Sequence, residues 1–164
     1  VKAACLAQLV NVIAPIMTEP GGPAWRQSIF FPFAITARLA QGTALRLAVE
    51  SPSYETSEYG TVPLVDAVAT IDDDGTVALF VVNRSQDAST TVSIDVSSLG
   101  PVLLGESLTL ADDDPSATNT LGHQGRVAPA PNRSVRIEDG VLTVELPAMS
   151  WTALQLLGRA SRDV

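Results

Sequence analysis

The pattern of apolar and polar residues changes near residue 42. Before it, apolar residues recur at helical spacing in residues 3–11 and 28–41. One stripe of the second segment carries Phe30, Phe33, Ala34 and Ala37. Between the two segments, residues 12–18 are apolar and partly β-branched, which is typical of a strand buried on both faces. Helix, buried strand, loop and helix form the repeating unit of a (β/α)8 barrel, so residues 1–42 are predicted to be the C-terminal end of such a barrel.

After residue 42 the apolar residues recur with a period of two, as in strands with one buried face. Residues 92–96 alternate Val or Ile with Ser or Asp. The dipeptide Asp139-Gly140 separates two further alternating runs and is a strong hairpin signal. A second acidic turn, residues 72–75, precedes a run at 79–82 that indicates a central strand covered on both sides.

These runs predict a mainly β chain. We expect about seven or eight short strands, typical of a β-sandwich, jelly-roll-like, over residues 43–158. Residues 159–164 are predicted to be a tail. The predicted fold is therefore a C-terminal β-sandwich domain preceded by the last helix–strand–helix unit of a (β/α)8 barrel.

Composition and charge exclude several classes of partner. The chain has 164 residues, 46% of them hydrophobic and 17% charged, which suits one domain, or a small domain plus part of another. The net charge of −8 and ten scattered basic residues argue against nucleic acid and anionic membranes as partners. Pro, Gly or charge interrupts every apolar run, so no membrane span is predicted. The chain begins at Val1 inside a predicted helix, so we expect the native N-terminus, and any signal peptide, to lie upstream.

The sequence contains few candidates for catalytic or metal-binding residues. Residues 72–74 and 112–114 are acidic turns whose side chains are expected to accept local hydrogen bonds; a calcium site is the alternative, but the ligand spacing of a calcium loop is missing. His123 is interpreted as an exposed loop residue and Cys5 as a small buried thiol. We therefore predict no metal site, no cofactor and no catalytic residue in this chain.

The candidate binding residues follow the predicted barrel strand. Trp25, Arg26 and Gln27 come after a Gly- and Pro-rich loop, where barrel enzymes place their active sites. The Gln27 amide can pair with sugar hydroxyls, and the Trp25 ring can cover a sugar face. The alternative is structural: Trp25 packs the seam between barrel and sandwich, and Arg26 pairs with a carboxylate. Trp151 is predicted to be a core residue.

Several strings in this chain resemble the α-L-arabinofuranosidases of glycoside hydrolase family 51. The most specific are residues 7–18 (AQLVNVIAPIMT) and 24–30 (AWRQSIF). Weaker matches follow in order, at residues 80–84 (FVVNR), 117–120 (ATNT), 127–129 (VAP) and 147–151 (PAMSW).

The resemblance implies a (β/α)8 barrel with a packed C-terminal sandwich, and retaining hydrolysis of terminal α-L-arabinofuranosyl groups from arabinan, arabinoxylan or their oligosaccharides. It places the catalytic Glu pair in Asn-Glu and Asp-Glu-Trp contexts, and neither occurs in this chain. It also implies that Gln27 contacts the arabinose.

Three interpretations remain open at this point. The chain is an inactive part of a family 51 enzyme, a non-catalytic carbohydrate-binding module, or a structural sandwich that shields the barrel and builds oligomer contacts. The partners expected from the resemblance are arabinose-containing oligosaccharides or polysaccharides, the upstream barrel and, in the full-length protein, further copies of itself. The single cysteine and the family's frequent lack of export favour a bacterial cytoplasmic location.

Overall fold

The computed structural model describes residues 4–158, which contain thirteen short β-strands, one α-helix and one 3₁₀ turn. In chain order these are β1 (Ile16–Thr18), β2 (Ala24–Arg26), α1 (Phe30–Leu39), β3 (Thr43–Leu45), β4 (Ser53–Thr56), β5 (Gly60–Pro63), β6 (Val65–Ile71), β7 (Val77–Asn83), β8 (Thr90–Asp95), the 3₁₀ turn (Ser97–Leu99), β9 (Val102–Leu110), β10 (Ala130–Pro131), β11 (Arg136–Glu138), β12 (Val141–Leu146) and β13 (Ser150–Gly158). Eleven of these strands, β3 to β13, lie in residues 43–158, where about seven or eight were predicted, because strands of two to four residues are too short to show alternation. The predicted tail, residues 159–164, lies outside the described residues.

Two antiparallel sheets form the sandwich. One has six strands in the order β10-β9-β13-β7-β6-β3, and the other has three in the order β11-β12-β8. The main core lies between them and is contributed by alternate residues of β6, β7, β12 and β13, including Leu79, Leu146 and Leu154. The mainly β fold with a sandwich is therefore confirmed, and β7 is the central, doubly covered strand that residues 79–82 predicted.

The predicted turns are also confirmed. Glu138 pairs directly with Val141, so Asp139 and Gly140 form a two-residue loop, and both have positive φ (50° and 77°) as a type I′ turn requires. In the turn after β6, the carboxylate of Asp72 accepts hydrogen bonds from the backbone N–H groups of Asp74 and Thr76.

Helix α1 covers the outer face of the six-stranded sheet. Ile35 and Leu39 are buried against Ala78, Phe80 and Ala153. The apolar stripe singled out in the sequence lies elsewhere on the helix. Its four members are partly or fully exposed: Phe30, Phe33, Ala34 and Ala37. Because the helix carries apolar residues on both sides, spacing alone did not show which side the sheet would cover.

The first predicted helix is absent from residues 4–11, and the strand predicted over residues 12–18 is shorter and less buried than expected. Only Ile16–Thr18 are extended, and they are half-buried rather than covered on both faces. Val12 is 79% exposed and has φ of 59°. Short helices are marginal unless they pack against something, and within the described residues this segment has little to pack against.

The helix α1 is too short to cross a membrane, and no other helix of the described residues is long and apolar enough to do so.

Candidate functional site

The candidate site is built on the hairpin of β1 and β2. Met17 pairs with Trp25 in the middle of the hairpin, and Gly21 has φ of 66° in the loop that joins the strands. The pairing extends one step beyond β2, because the backbone N–H of Gln27 donates to the carbonyl of Pro15 (2.8 Å). The hairpin therefore fixes the backbone on both sides of Trp25.

Trp25 and Gln27 are two residues apart and share one side of the extended segment. Both are half-buried. The indole Nε1–H of Trp25 and the amide Nε2–H of Gln27 donate to the same acceptor, the backbone carbonyl of Asn119, each at 3.0 Å. The structure thus brings both predicted binding residues together on one atom of a sandwich loop.

Asn119 also holds this segment through its side chain. Its Nδ2 donates to the carbonyl of Arg26 (3.0 Å) and to the carbonyl of Val127 (2.9 Å), while its Oδ1 accepts from the N–H of Val127 (2.8 Å). The residue is 99% buried, with 1% of its surface exposed. Sequence reasoning did not identify Asn119 individually; the only signal was its place in the ATNT string.

Arg26 points to the other side of the segment. Its guanidinium lies 4.8 Å from the ring centroid of Phe30, a cation–π contact with an exposed cation. Arg26 forms none of the ion pairs found within residues 4–158, so the predicted partner carboxylate is not observed there.

A cavity of about 360 Å³ lies beside this segment, with Ser28 in its wall. Its other side is formed by Leu110, Asp112, Met149 and Trp151, among others. A hydrogen bond from the backbone N–H of Asp114, and then one from the Arg126 guanidinium, hold the pKa of Asp112 below its ordinary value. Asp112 is therefore a stable anion, which suits an ion pair and does not suit a general acid.

The other candidate residues have structural surroundings. His123 is exposed in a loop, as predicted. Cys5 is exposed, so the prediction of a buried thiol was wrong; its described neighbours Ala4, Leu6 and Ala7 are exposed as well. Within residues 4–158, no three His, Cys, Asp or Glu side chains converge as metal ligands would. Trp151 stacks on Phe80 (5.8 Å between centroids), one of the sheet residues that α1 covers, which confirms its packing role.

Two of the weaker motif strings meet at Asn83. This residue is 2% exposed, and its Nδ2 donates to the carbonyls of Ala88, Leu146 and Pro147. Its Oδ1 accepts from the N–H of Ser85. The FVVNR and PAMSW strings therefore serve to join the turns after β7 and β12 at one end of the sandwich.

Comparison with known proteins identifies the family. Residues 1–150 match the model of the α-L-arabinofuranosidase C-terminal domain. The chain is 49% identical over 159 residues to an exo-α-(1→6)-L-arabinofuranosidase of Bifidobacterium longum and 45% identical over 155 residues to an intracellular exo-α-(1→5)-L-arabinofuranosidase of Streptomyces lividans. These alignments cover 95% and 94% of the chain, but only 30% and 23% of the relatives.

Comparison with solved structures gives the same family. A family 51 α-L-arabinofuranosidase from Bifidobacterium longum superposes with a TM-score of 0.85 at 45% identity, over 91% of this chain and 29% of that one. A family 51 arabinofuranosidase from Xanthomonas axonopodis pv. citri superposes with a TM-score of 0.81 at 31% identity, over 92% of this chain and 30% of that one. The chain therefore belongs to the C-terminal domain family of the glycoside hydrolase family 51 α-L-arabinofuranosidases.

Proposed function

We propose that this chain is the C-terminal part of a retaining enzyme that removes terminal α-L-arabinofuranosyl groups from arabinan, arabinoxylan or their oligosaccharides. The relatives' names support this substrate class, since both are exo-acting arabinofuranosidases. The main support for the role of this chain is that Trp25 and Gln27 both donate hydrogen bonds to Asn119. These contacts connect the candidate sugar-binding segment to the sandwich.

We propose that residues 1–42 complete a barrel supplied by upstream sequence, and that residues 43–158 form the supporting sandwich. Exposed apolar residues concentrate in this first region: Leu6, Leu9, Val10, Val12, Ile13, Ile29 and Phe33. Contiguous exposed apolar surface marks an interaction site, whereas scattered residues do not. The outward side of α1, which carries the exposed Phe33, is proposed to be covered by upstream sequence as well, because a helix that is apolar on both sides is normally covered on both sides.

The chemistry is proposed to belong to the missing barrel. In a retaining mechanism one carboxylic acid protonates the leaving oxygen while a carboxylate attacks the anomeric carbon, and the first group then activates water. The family contexts of these two Glu residues are absent here, so we assign no catalytic residue to this chain.

Gln27 is proposed to bind the arabinose, with Trp25 forming the wall beside it. Nε2 of Gln27 is engaged by Asn119, and none of the hydrogen bonds found among residues 4–158 uses its Oε1. That oxygen is therefore available to accept a hydrogen bond from a sugar hydroxyl.

Replacement of Gln27 by Ala in the full-length enzyme tests this role. We expect a loss of about 1–3 kcal/mol of transition-state stabilisation, or about 5- to 150-fold in kcat/KM on an aryl arabinofuranoside, because a sugar hydroxyl loses its acceptor. Gln41→Ala is the matched control, since the Gln41 amide donates to carbonyls of its own helix. An unchanged kcat/KM for Gln27→Ala would remove Gln27 from the site.

The isolated 164-residue chain is expected to be inactive on the same substrate. Turnover by the purified chain, lost on Gln27→Ala, would contradict the assignment of the catalytic pair to upstream sequence. The full-length enzyme is proposed to be a cytoplasmic homo-oligomer in bacteria; the word intracellular in the name of the Streptomyces lividans relative supports the location. Light scattering and cell fractionation test these two points.

A second candidate function is glycan binding by the sandwich itself. The hairpin of β4 and β5 carries Tyr54 and Tyr59, and Tyr59 is 76% exposed. Exposed aromatic rings suit stacking on sugars. Saturable binding of arabino-oligosaccharides to the isolated chain, abolished by Tyr59→Ala and retained by Gln27→Ala, would favour this function.

A further inference from the structure

Asn119 contacts the Trp25–Gln27 segment from two directions. Its backbone carbonyl accepts from both side chains, and its side-chain amide donates to the backbone carbonyl of Arg26. These three bonds connect residues 92 to 94 positions apart in the chain. The loop that bears Asn119 leaves β9, so the contact joins the sandwich to the hairpin of β1 and β2.

We propose that Asn119 is the positioning residue that fixes the orientation of the Gln27 amide toward the substrate. The inference rests on the proposed function of Gln27 as an arabinose contact. A carbonyl oxygen only accepts hydrogen bonds, so Gln27 must turn its NH₂ group toward Asn119 and its Oε1 away from it. The sandwich thereby determines that Gln27 presents an acceptor, which selects a sugar hydroxyl as the donor.

The carbonyl of Asn119 is itself held rigidly. The Asn119 side chain exchanges two hydrogen bonds with the backbone of Val127, which is 6% exposed, so the loop is closed on the core side. A buried amide with these partners has little freedom to rotate, since each lost bond would leave a buried polar group unpaired. The indole N–H of Trp25 fills the second acceptor position of the same carbonyl.

A double-mutant cycle in the full-length enzyme tests the proposal. Asn119→Asp keeps the shape of the side chain but replaces Nδ2 by an oxygen, which cannot donate to the carbonyls of Arg26 and Val127. We expect kcat/KM on an aryl arabinofuranoside to fall about 10- to 100-fold, because the Gln27 amide is no longer held in its orientation toward the substrate. In the Gln27→Ala background the same change should alter kcat/KM by less than about twofold, since the amide that it positions is gone.

Asn83→Asp is the matched control. Asn83 is another buried amide that donates to backbone carbonyls, but none of its partners lies in residues 24–28. Its effect on kcat/KM, whatever its size, should be the same with and without Gln27. Additive effects of Asn119→Asp and Gln27→Ala would overturn the positioning role, because a purely structural residue acts independently of Gln27.

If Asn119→Asp yields no folded enzyme, Asn119→Ser replaces it in the cycle. This change introduces no charge and removes the amide that donates to the carbonyl of Arg26. We expect a loss of about 3- to 10-fold in kcat/KM that disappears in the Gln27→Ala background; a loss that persists there would overturn the proposal. A Gln27→Ala enzyme with unchanged kcat/KM would refute the proposed function itself, which is a different outcome from additivity.

Discussion

Truncation of Leu154 is the sharpest test of the sandwich core. Leu154 lies on β13, in the interior of the six-stranded sheet, and none of its surface is exposed (0%). It packs between the two sheets, whereas Leu157 on the same strand is 38% exposed. Leu154→Ala and Leu157→Ala remove the same three carbon atoms, so their comparison isolates burial.

The free energy of unfolding that Leu154→Ala is expected to lose has two parts, the transfer of the removed groups and the cavity that they leave. Removing three carbon groups from a core costs about 2.4 kcal/mol at roughly 0.8 kcal/mol each. The unfilled cavity raises the cost to about 3–5 kcal/mol. The sheets leave a cleft of about 620 Å³ that Leu156 lines and Leu154 does not. We expect Leu157→Ala to cost less than about 1 kcal/mol.

Urea denaturation of the 164-residue chain, monitored by circular dichroism, measures the free energy of unfolding of each of the two variants. The midpoint for Leu154→Ala should fall while the m-value stays unchanged, because the surface exposed on unfolding is nearly the same. A loss below about 1 kcal/mol for Leu154→Ala, or equal losses for the two variants, would show that β13 does not lie in the core as described.

Two further predictions concern a glycine and an ion pair. Gly42 has φ of 76°, and a Cβ there would overlap the carbonyl oxygen of Ile71. Gly60 has a similar φ (66°) but open space around it, so Gly42→Ala should lower the Tm clearly more than Gly60→Ala does. Equal shifts in Tm would contradict this. A hydrogen bond from Arg38 holds the pKa of Glu106 below its ordinary value of 4.5. The ion pair therefore stabilises the fold above that pH and is lost as pH falls through the lower folded-state pKa. Both groups are largely exposed, so Glu106→Gln should reduce the acid-dependent loss of stability by only about 0.2–1 kcal/mol, and an unchanged pH–stability curve would contradict the pairing.

The candidate site was only partly predictable. The sequence pointed to Trp25 and Gln27 through their position after a run predicted to be a buried strand and through the AWRQ string. It did not indicate that both side chains donate to one carbonyl, because that carbonyl belongs to a residue more than ninety positions away. Hydrogen bonds between distant loops leave no periodic trace in sequence.

The sequence by itself determined the features that depend on local backbone geometry. Alternation predicted the strand over Thr90–Asp95, and Asp139-Gly140 predicted a hairpin because few residue pairs adopt positive φ twice in succession. Only the tertiary structure decided which side of α1 is buried and that Cys5 is exposed. Both depend on which surfaces are available to cover an apolar residue, and burial is a property of neighbours in space rather than of neighbours in sequence.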